Sequence, residues 1–306
     1  LMKCAKTLKK NAEKLKHKLI EAKVLSRDYK AHIGKTHIYF PLSKEIKGLD
    51  ITDKKCEKIE KINMNSGSYD QVGDIVILSQ DAKKSDAKEI LKRSNIKVVL
   101  RRKGNYSGEF RTLKLDYLAG EKRKETIHKE NGVQMKLNPE EVYFSPRLST
   151  ERLRVASLVK DGEKVLVLFS GVAPYPLVIA KHSNPKLIVA VEKNPIGHKY
   201  ALENCKKYSN IELYNEDAKT FTHKEKFDRI LMPLPKSAED FLDNTKKLIK
   251  KNGIIHFYDF LNEKDIPDHT IETIKKHIKK FKVLHLAKCG QYGPGKLRIC
   301  LDIKLT

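Results

Sequence analysis

Leu8, Ala12, Leu15, Leu19 and Ala22 recur at helical spacing among lysines, so the first 25 residues predict an amphipathic helix. DYKAHIGKTHIYFPL then predicts two short strands about a turn at Gly34. The charged run from Asp50 to Lys61 predicts a linker or a polar helix. Residues 1–60 thus make a small α/β module. In the next stretch VGDIVILS predicts a strand, and DAKKSDAKEILKRS a helix opened by Asp81 or Ser85. IKVVLRRKG, GEFRTLKLDYLAG, KETIHKENG and VQMKLNP continue as strands, punctuated by Gly104, Gly120 and Gly132. Residues 61–141 are accordingly an α+β middle domain.

From Val165 the periodicity changes. Apolar runs such as KVLVLF, LIVAVE, IELY and FDRILM alternate with segments of helical pattern: PLVIAKHS, IGHKYALENCKKY, SAEDFLDNTKKLIKKNG with a glycine stop, and TIETIKKHIKKF. Buried strands separated by helices imply a parallel sheet with right-handed crossovers and helices on both faces. VLHLAKCG and KLRICLDIKL close the chain as an antiparallel pair at one sheet edge. The expected fold class is α/β: a Rossmann-like domain over 142–306, preceded by α+β units.

Charge narrows the partners. Lys and Arg number 63 against 39 acidic residues, a formal net charge of +24, which favours a polyanion because phosphate contacts release condensed counterions. A Lys-rich solvated surface would produce the same count without a partner. No apolar run reaches the ~18 residues of a membrane span, and the basic start lacks a signal peptide's apolar core, so a cytoplasmic protein is expected. The five cysteines, Cys4, Cys56, Cys205, Cys289 and Cys300, have no CxxC spacing and predict free thiols rather than a metal site.

Candidate chemistry gathers at the predicted strand ends. FSGVAPY lies between a strand and a helix, where small residues let backbone N–H groups approach a ligand. Glu192 ends LIVAVE about 20 residues on, where an acid takes ribose hydroxyls in nucleotide-binding folds. Asp217 follows IELYNE and suits an adenine amino group. Glu192 and Asp217 would serve equally as caps of the following helices. In MPLPKS, Pro233 and Pro235 cannot continue a ladder, so the chain leaves the sheet where such folds place ligands, with Lys236 next.

YFSPRLSTER, FSGVAPYPLVIAK, DRILMPLPKSAEDFL and NGIIHFY, together with GEFRTLKLDYLAGEKRKETIHKENG and KLIEAKVLSRDYK, resemble the archaeal and eukaryotic tRNA (guanine-N1)-methyltransferases that act on guanosine 37. The likeness covers nearly the whole chain. It implies S-adenosylmethionine as cofactor, tRNA as partner through its anticodon stem-loop and elbow, no metal, and a monomer. It also implies residue roles. Glu151 would accept the N1 proton, with Arg152 orienting it or holding phosphate, Arg111 would neutralise charge developing on O6, and Tyr143 would stack on the base. Phe169, Gly171, Glu192, Lys193, Asp217, Ala218, Arg147, Pro233 and Pro235 would hold the cofactor. Lys103, Arg152, Pro233 and Lys236 would meet the tRNA. The chemistry suits these types: N1 is a poor nucleophile until a carboxylate takes its proton, and a fixed guanidinium opposes the resulting anion. Glu151 could instead pair with Arg147 or Arg154 on one helix face, and Tyr143 could be core.

Two departures from the family stand out. Leu168 and Val167 replace the acid usually ending the first strand, and Ala173 replaces the loop's second glycine. Pro233 stands where the family usually has Asn, which is compatible with methylating a ring carbon of the tricyclic wyosine precursor, 4-demethylwyosine, at C7. The alternatives are the aminocarboxypropyl transferase of wyosine synthesis, which the intact SPRLSTER disfavours, and a non-catalytic tRNA-binding protein.

Overall fold

The first residues pair rather than coil. In the computed structural model, which describes residues 1–26, 28–58, 69–234 and 237–306, Met2–Leu8 form strand β1. The expected helix begins only at Ala12, as α1 (Ala12–Glu21). Cys4 and Ala5 are wholly buried between neighbouring strands, and this pairing outweighs the helical spacing read across Leu8. Strands β2 (His32–Ile33) and β3 (His37–Pro41) flank Gly34 as expected. The predicted linker at 50–61 contains β4 (Ile51–Lys54), the far-side partner of β1, giving the sheet order β2-β3-β1-β4. Leu19 of α1 packs on Ala5, Phe40 and Leu42 to close a small core. The Cys4 and Cys56 sulfurs lie 3.4 Å apart, both as free thiols.

Leu1–Asn65 is one compact unit and Ser66–Thr306 a second, which contains both the α+β region and the Rossmann-like region. The second unit opens with β5 (Asp70–Val72), β6 (Ile75–Leu78), helix α2 (Lys84–Leu91), β7 (Val98–Arg102) and β8 (Leu115–Gly120) in one sheet. Neither Asp81 nor Ser85 opens α2; Lys83 does, its N–H accepted by Asp86 at 2.9 Å. The first half of GEFRTLKLDYLAG is a loop rather than a strand. The hairpin β9 (Thr126–Glu130) and β10 (Val133–Leu137) follows. Gly73, at φ +58°, turns β5 into β6 so close to β9 that a Cβ there would stand 2.3 Å from the Thr126 hydroxyl.

Helix α3 (Ser149–Leu158) leads into the main sheet. Its strands and helices run β11 (Lys164–Leu168), α4 (Pro174–His182), β12 (Leu187–Val191), α5 (Pro195–Cys205), β13 (Ile211–Tyr214) and β14 (Phe227–Met232). Then come α6 (Leu242–Leu248), β15 (Ile249–Asn262), α7 (Asp268–His277), β16 (Phe281–Gly293) and β17 (Lys296–Leu305). The glycine of KKNG does not stop α6, which ends at Leu248; Gly253 lies inside β15. Strand order is β13-β12-β11-β14-β15-β17-β16. β11 pairs in parallel with both β12 and β14, so the crossovers leave in opposite directions and a crevice opens beyond its C-terminal end. β17 runs antiparallel between β15 and β16, the expected edge pair. Among the described residues no helix is long and apolar enough to cross a membrane.

Candidate active site

The crevice is shaped by the loop after β11. Phe169, Gly171 and Ala173 adopt φ of +54°, +55° and +70°. Ala173 therefore takes the left-handed conformation for which glycine is suited, at a cost of roughly 1–2 kcal/mol, and keeps it as the fully buried N-cap of α4. Gly171 N–H donates to Glu192 Oε2 at 2.7 Å, and Asn194 N–H donates to Oε1 at 2.7 Å. Burial pushes the Glu192 carboxyl above its ordinary range despite these donors. A carboxylate has further lone pairs, so Glu192 can accept from a ligand as well. It does not cap α5; Asn194 does, accepting from Ile196 N–H. Phe169 packs edge-on against Phe241, centroids 4.8 Å apart, and the buried Ser170 hydroxyl has no partner among the described residues.

Across the same cavity lie Lys193, Asp217, Ala218 and Pro233. Lys193 bridges Asp217 at 2.7 Å and Glu109 at 2.5 Å. That ammonium, with the Lys219 N–H, holds the Asp217 carboxyl below its ordinary range. Pro233 follows β14 directly and presents only its ring. Pro235 and Lys236 lie outside the described residues.

Arg111 and Tyr143 form the wall opposite. The GEFR segment closes as a tight loop, with Ser107 and Thr112 exchanging backbone bonds at 3.0 and 3.1 Å. Arg111, itself at φ +50°, holds its guanidinium 4.9 Å from the Tyr143 ring centre. Tyr143 Oη accepts from Arg298 at 2.9 Å, and Tyr106 meets its ring edge-on at 5.1 Å. Behind this wall a second groove carries Arg102, Arg147 and Arg298 with one carboxylate, Asp70. Asp70 accepts from Arg147 Nε at 2.8 Å and pairs with Arg102. Arg147, expected at the cofactor, thus belongs to the groove and not to the cavity of Phe169 and Glu192.

Glu151 is buried, on the first turn of α3. Both its oxygens accept from Arg154, at 2.7 and 2.8 Å, and Oε1 also accepts from the Tyr258 hydroxyl at 2.8 Å. The pairing with Arg154 is the helix-face alternative the sequence left open. Cys289, which lines the groove, stands against this carboxylate; burial first, then Glu151's charge, pushes its thiol up. Arg152, expected at a phosphate, is only 2% exposed. Its Nε and Nη2 grip Glu130 bidentately and Nη2 also donates to the Ser145 carbonyl at 3.1 Å, so these donors face the core. Lys103 is more than half exposed and bridges Asp116 at 2.9 Å.

Sequence reasoning missed Arg298, Asp70, Tyr258, His256 and Asp302. The last two left a signal: each is a polar residue inside an apolar run, IIHFY and ICLDI. His256, Cys300 and Asp302 gather within 4.8 Å, and their cationic partners are Arg229 and Arg154.

Residues 126–286 match the TRM5/TYW2 methyltransferase domain, residues 4–50 the tRNA methyltransferase 5 N-terminal domain, and residues 54–123 the TYW2 N-terminal domain. The chain is 32% identical over 324 residues to the tRNA (guanine(37)-N(1))-methyltransferase Trm5b of Pyrococcus abyssi, covering 97% of each. It is 33% identical to the tRNA(Phe) (4-demethylwyosine(37)-C(7)) aminocarboxypropyltransferase of Methanocaldococcus jannaschii, over 77% of this chain and 97% of the relative. It is likewise 33% identical to the tRNA (guanine(37)-N(1))/4-demethylwyosine(37)-methyltransferase Taw22 of Nanoarchaeum equitans, over 78% of this chain and 99% of the relative. The solved complex of aTrm5 and tRNALeu superposes with a TM-score of 0.72 at 30% identity, over 99% of both chains. On fold, site and sequence together, the chain belongs to the TRM5/TYW2 methyltransferase family.

Proposed function

We propose that this chain transfers a methyl group from S-adenosylmethionine to N1 of guanosine 37 in tRNA. One observation carries the reading: Arg111 and Tyr143 line both the cavity of Phe169 and Glu192 and the arginine-rich groove. A base stacked on Tyr143 from the groove would face the mouth of the donor cavity. That cavity suits the donor, with Glu192 for ribose hydroxyls, Asp217 for the adenine amino group, and the unpartnered Ser170 hydroxyl in its loop. S-adenosylmethionine carries its methyl on a sulfonium and needs no further activation.

The chain's own residues then do the rest. Glu151 accepts the N1 proton; it lines neither the cavity nor the groove itself, and Cys289 of the groove stands against it. Arg111 opposes with its guanidinium the charge that moves to O6. Tyr143, fixed by Arg298, replaces the stacking that the extruded base gives up. Lys103 faces the anticodon stem-loop, and the lysine-rich first unit takes the elbow. Nucleosides from a guanosine-37 transcript, incubated with protein and donor and analysed by mass, should contain 1-methylguanosine. Its absence would end this reading.

Pro233 favours a second substrate. Its ring offers no polar group to a guanine edge, and one relative is named for both guanosine-37 and 4-demethylwyosine methylation, so 4-demethylwyosine methylated at C7 is the additional acceptor proposed. The match of residues 4–50 to a methyltransferase N-terminal domain favours methyl over aminocarboxypropyl transfer.

A further inference from the structure

Glu151 heads a largely buried chain of charges that runs into the sheet. The Arg154 guanidinium that holds it also donates to Asp302, Nη1 to Oδ2 at 2.7 Å and Nη2 to Oδ1 at 3.3 Å. Asp302 Oδ1 lies 2.6 Å from His256 Nδ1, and His256 Nε2 lies 2.8 Å from Arg229 Nη1. Arg229 ends the chain on Glu163, at 2.8 and 3.0 Å, and on the carbonyl of Leu158, the last residue of the helix that carries Glu151.

Donor chemistry fixes the protons. A guanidinium only donates, so His256 Nε2 accepts and Nδ1 holds the proton given to Asp302. Burial holds this imidazole below its usual range despite Asp302, so it is neutral. Three carboxylates, Glu151, Asp302 and Glu163, therefore face two guanidiniums. Glu163 matches Arg229, and Arg154 is divided between Asp302 and Glu151. The other groups facing Glu151 do not compete in the neutral range: burial holds the Tyr175 and Tyr258 phenols and the Cys289 and Cys300 thiols protonated.

We propose that Asp302 and His256 are positioning residues for the proton acceptor, setting how much of Arg154's charge reaches Glu151. The proposal rests on Glu151 as that acceptor. An arginine committed wholly to Glu151 would stabilise its anion and weaken it as a base; shared with Asp302, it orients the carboxylate without fully neutralising it. The two positioning residues then act with opposite sign. Asp302→Asn releases Arg154 to Glu151. His256→Gln deprives Asp302 of its Nδ1 donor and strengthens its hold on Arg154.

The test is single-turnover methyl transfer to a guanosine-37 transcript against pH, with the full chain, these two variants and Glu151→Gln. Asp302→Asn should move the acid-side midpoint down by about one unit and lower the plateau rate about tenfold. His256→Gln should move the midpoint up. Shifts of opposite sign do not arise from general loosening, and donor affinity by equilibrium dialysis reports whether each variant is folded. Should one variant fail to bind donor, the sign of the other decides. Unshifted midpoints, or shifts of one sign, overturn the inference while leaving an inactive Glu151→Gln to support the base. A Glu151→Gln rate within a few-fold of wild type overturns the base itself, and the inference with it.

Discussion

Arg152 and Glu130 form a bidentate pair inside the protein, with side chains only 2% and 3% exposed. The arginine that follows the proposed base in sequence therefore points into the core, where it ties α3 to β9. His128 and Arg152 hold the Glu130 carboxyl below its ordinary range against the opposing effect of burial.

Arg152→Met should consequently act through stability. It leaves a buried carboxylate without its guanidinium, with only His128 beside it, a loss of about 3–5 kcal/mol. Denaturant unfolding measures it. An unchanged midpoint with a raised tRNA KM would return Arg152 to a phosphate-binding role.

Donor binding should depend on pH through Glu192. Its carboxyl is raised by burial, so the folded chain binds this proton more tightly than the unfolded chain does. From this group alone, stability is highest below the ordinary glutamate range and falls as pH rises through the folded value. Donor affinity should rise over the same window, because ribose hydroxyls donate to the ionised form. Glu192→Gln should flatten that dependence and weaken binding about tenfold at neutral pH, the equivalent of ~1.4 kcal/mol. Affinity independent of pH in the wild type would contradict the assignment.

Pro233→Asn should favour guanosine over the tricyclic acceptor. An amide left unpaired against the extra ring incurs a penalty of ~1–3 kcal/mol, or roughly 5- to 150-fold in discrimination. Methyl incorporation into each purified tRNA by both proteins measures it. Absence of wild-type activity on the tricycle would remove the second substrate and leave the first.

The parallel strands were legible because buried strands read as continuous apolar runs: VLVL, LIVAV and RILM announce β11, β12 and β14. β1 was not, because only Cys4 and Ala5 of its residues are buried and lysines surround them. Glu192 and the FSGVAP loop were found from strand–helix punctuation. Tyr143's partner Arg298 lies 155 residues away, a pairing no local pattern carries. Asp302 showed only as a charge inside an apolar run, and Arg154 only as one of two possible helix-face partners of Glu151; the pairing between them spans 148 residues and no local pattern carries it.

Deleting residues 1–65 should leave the chemistry intact. That unit has its own core, and every proposed reacting group lies in the other. The truncated chain should show a raised tRNA KM, a kcat near wild type at saturating tRNA, and a shallower dependence of binding on salt, because lysine contacts to phosphate are lost. A collapse of kcat at saturation would make the first unit part of the catalytic machinery.

The central claim is that Glu151 takes the N1 proton as the methyl group is transferred. Single-turnover formation of 1-methylguanosine in a guanosine-37 transcript, compared between wild type and Glu151→Gln at saturating donor, tests it most directly. The account predicts a fall of about 10²–10⁴-fold in rate with donor affinity preserved. A variant that forms 1-methylguanosine within a few-fold of the wild-type rate would contradict it.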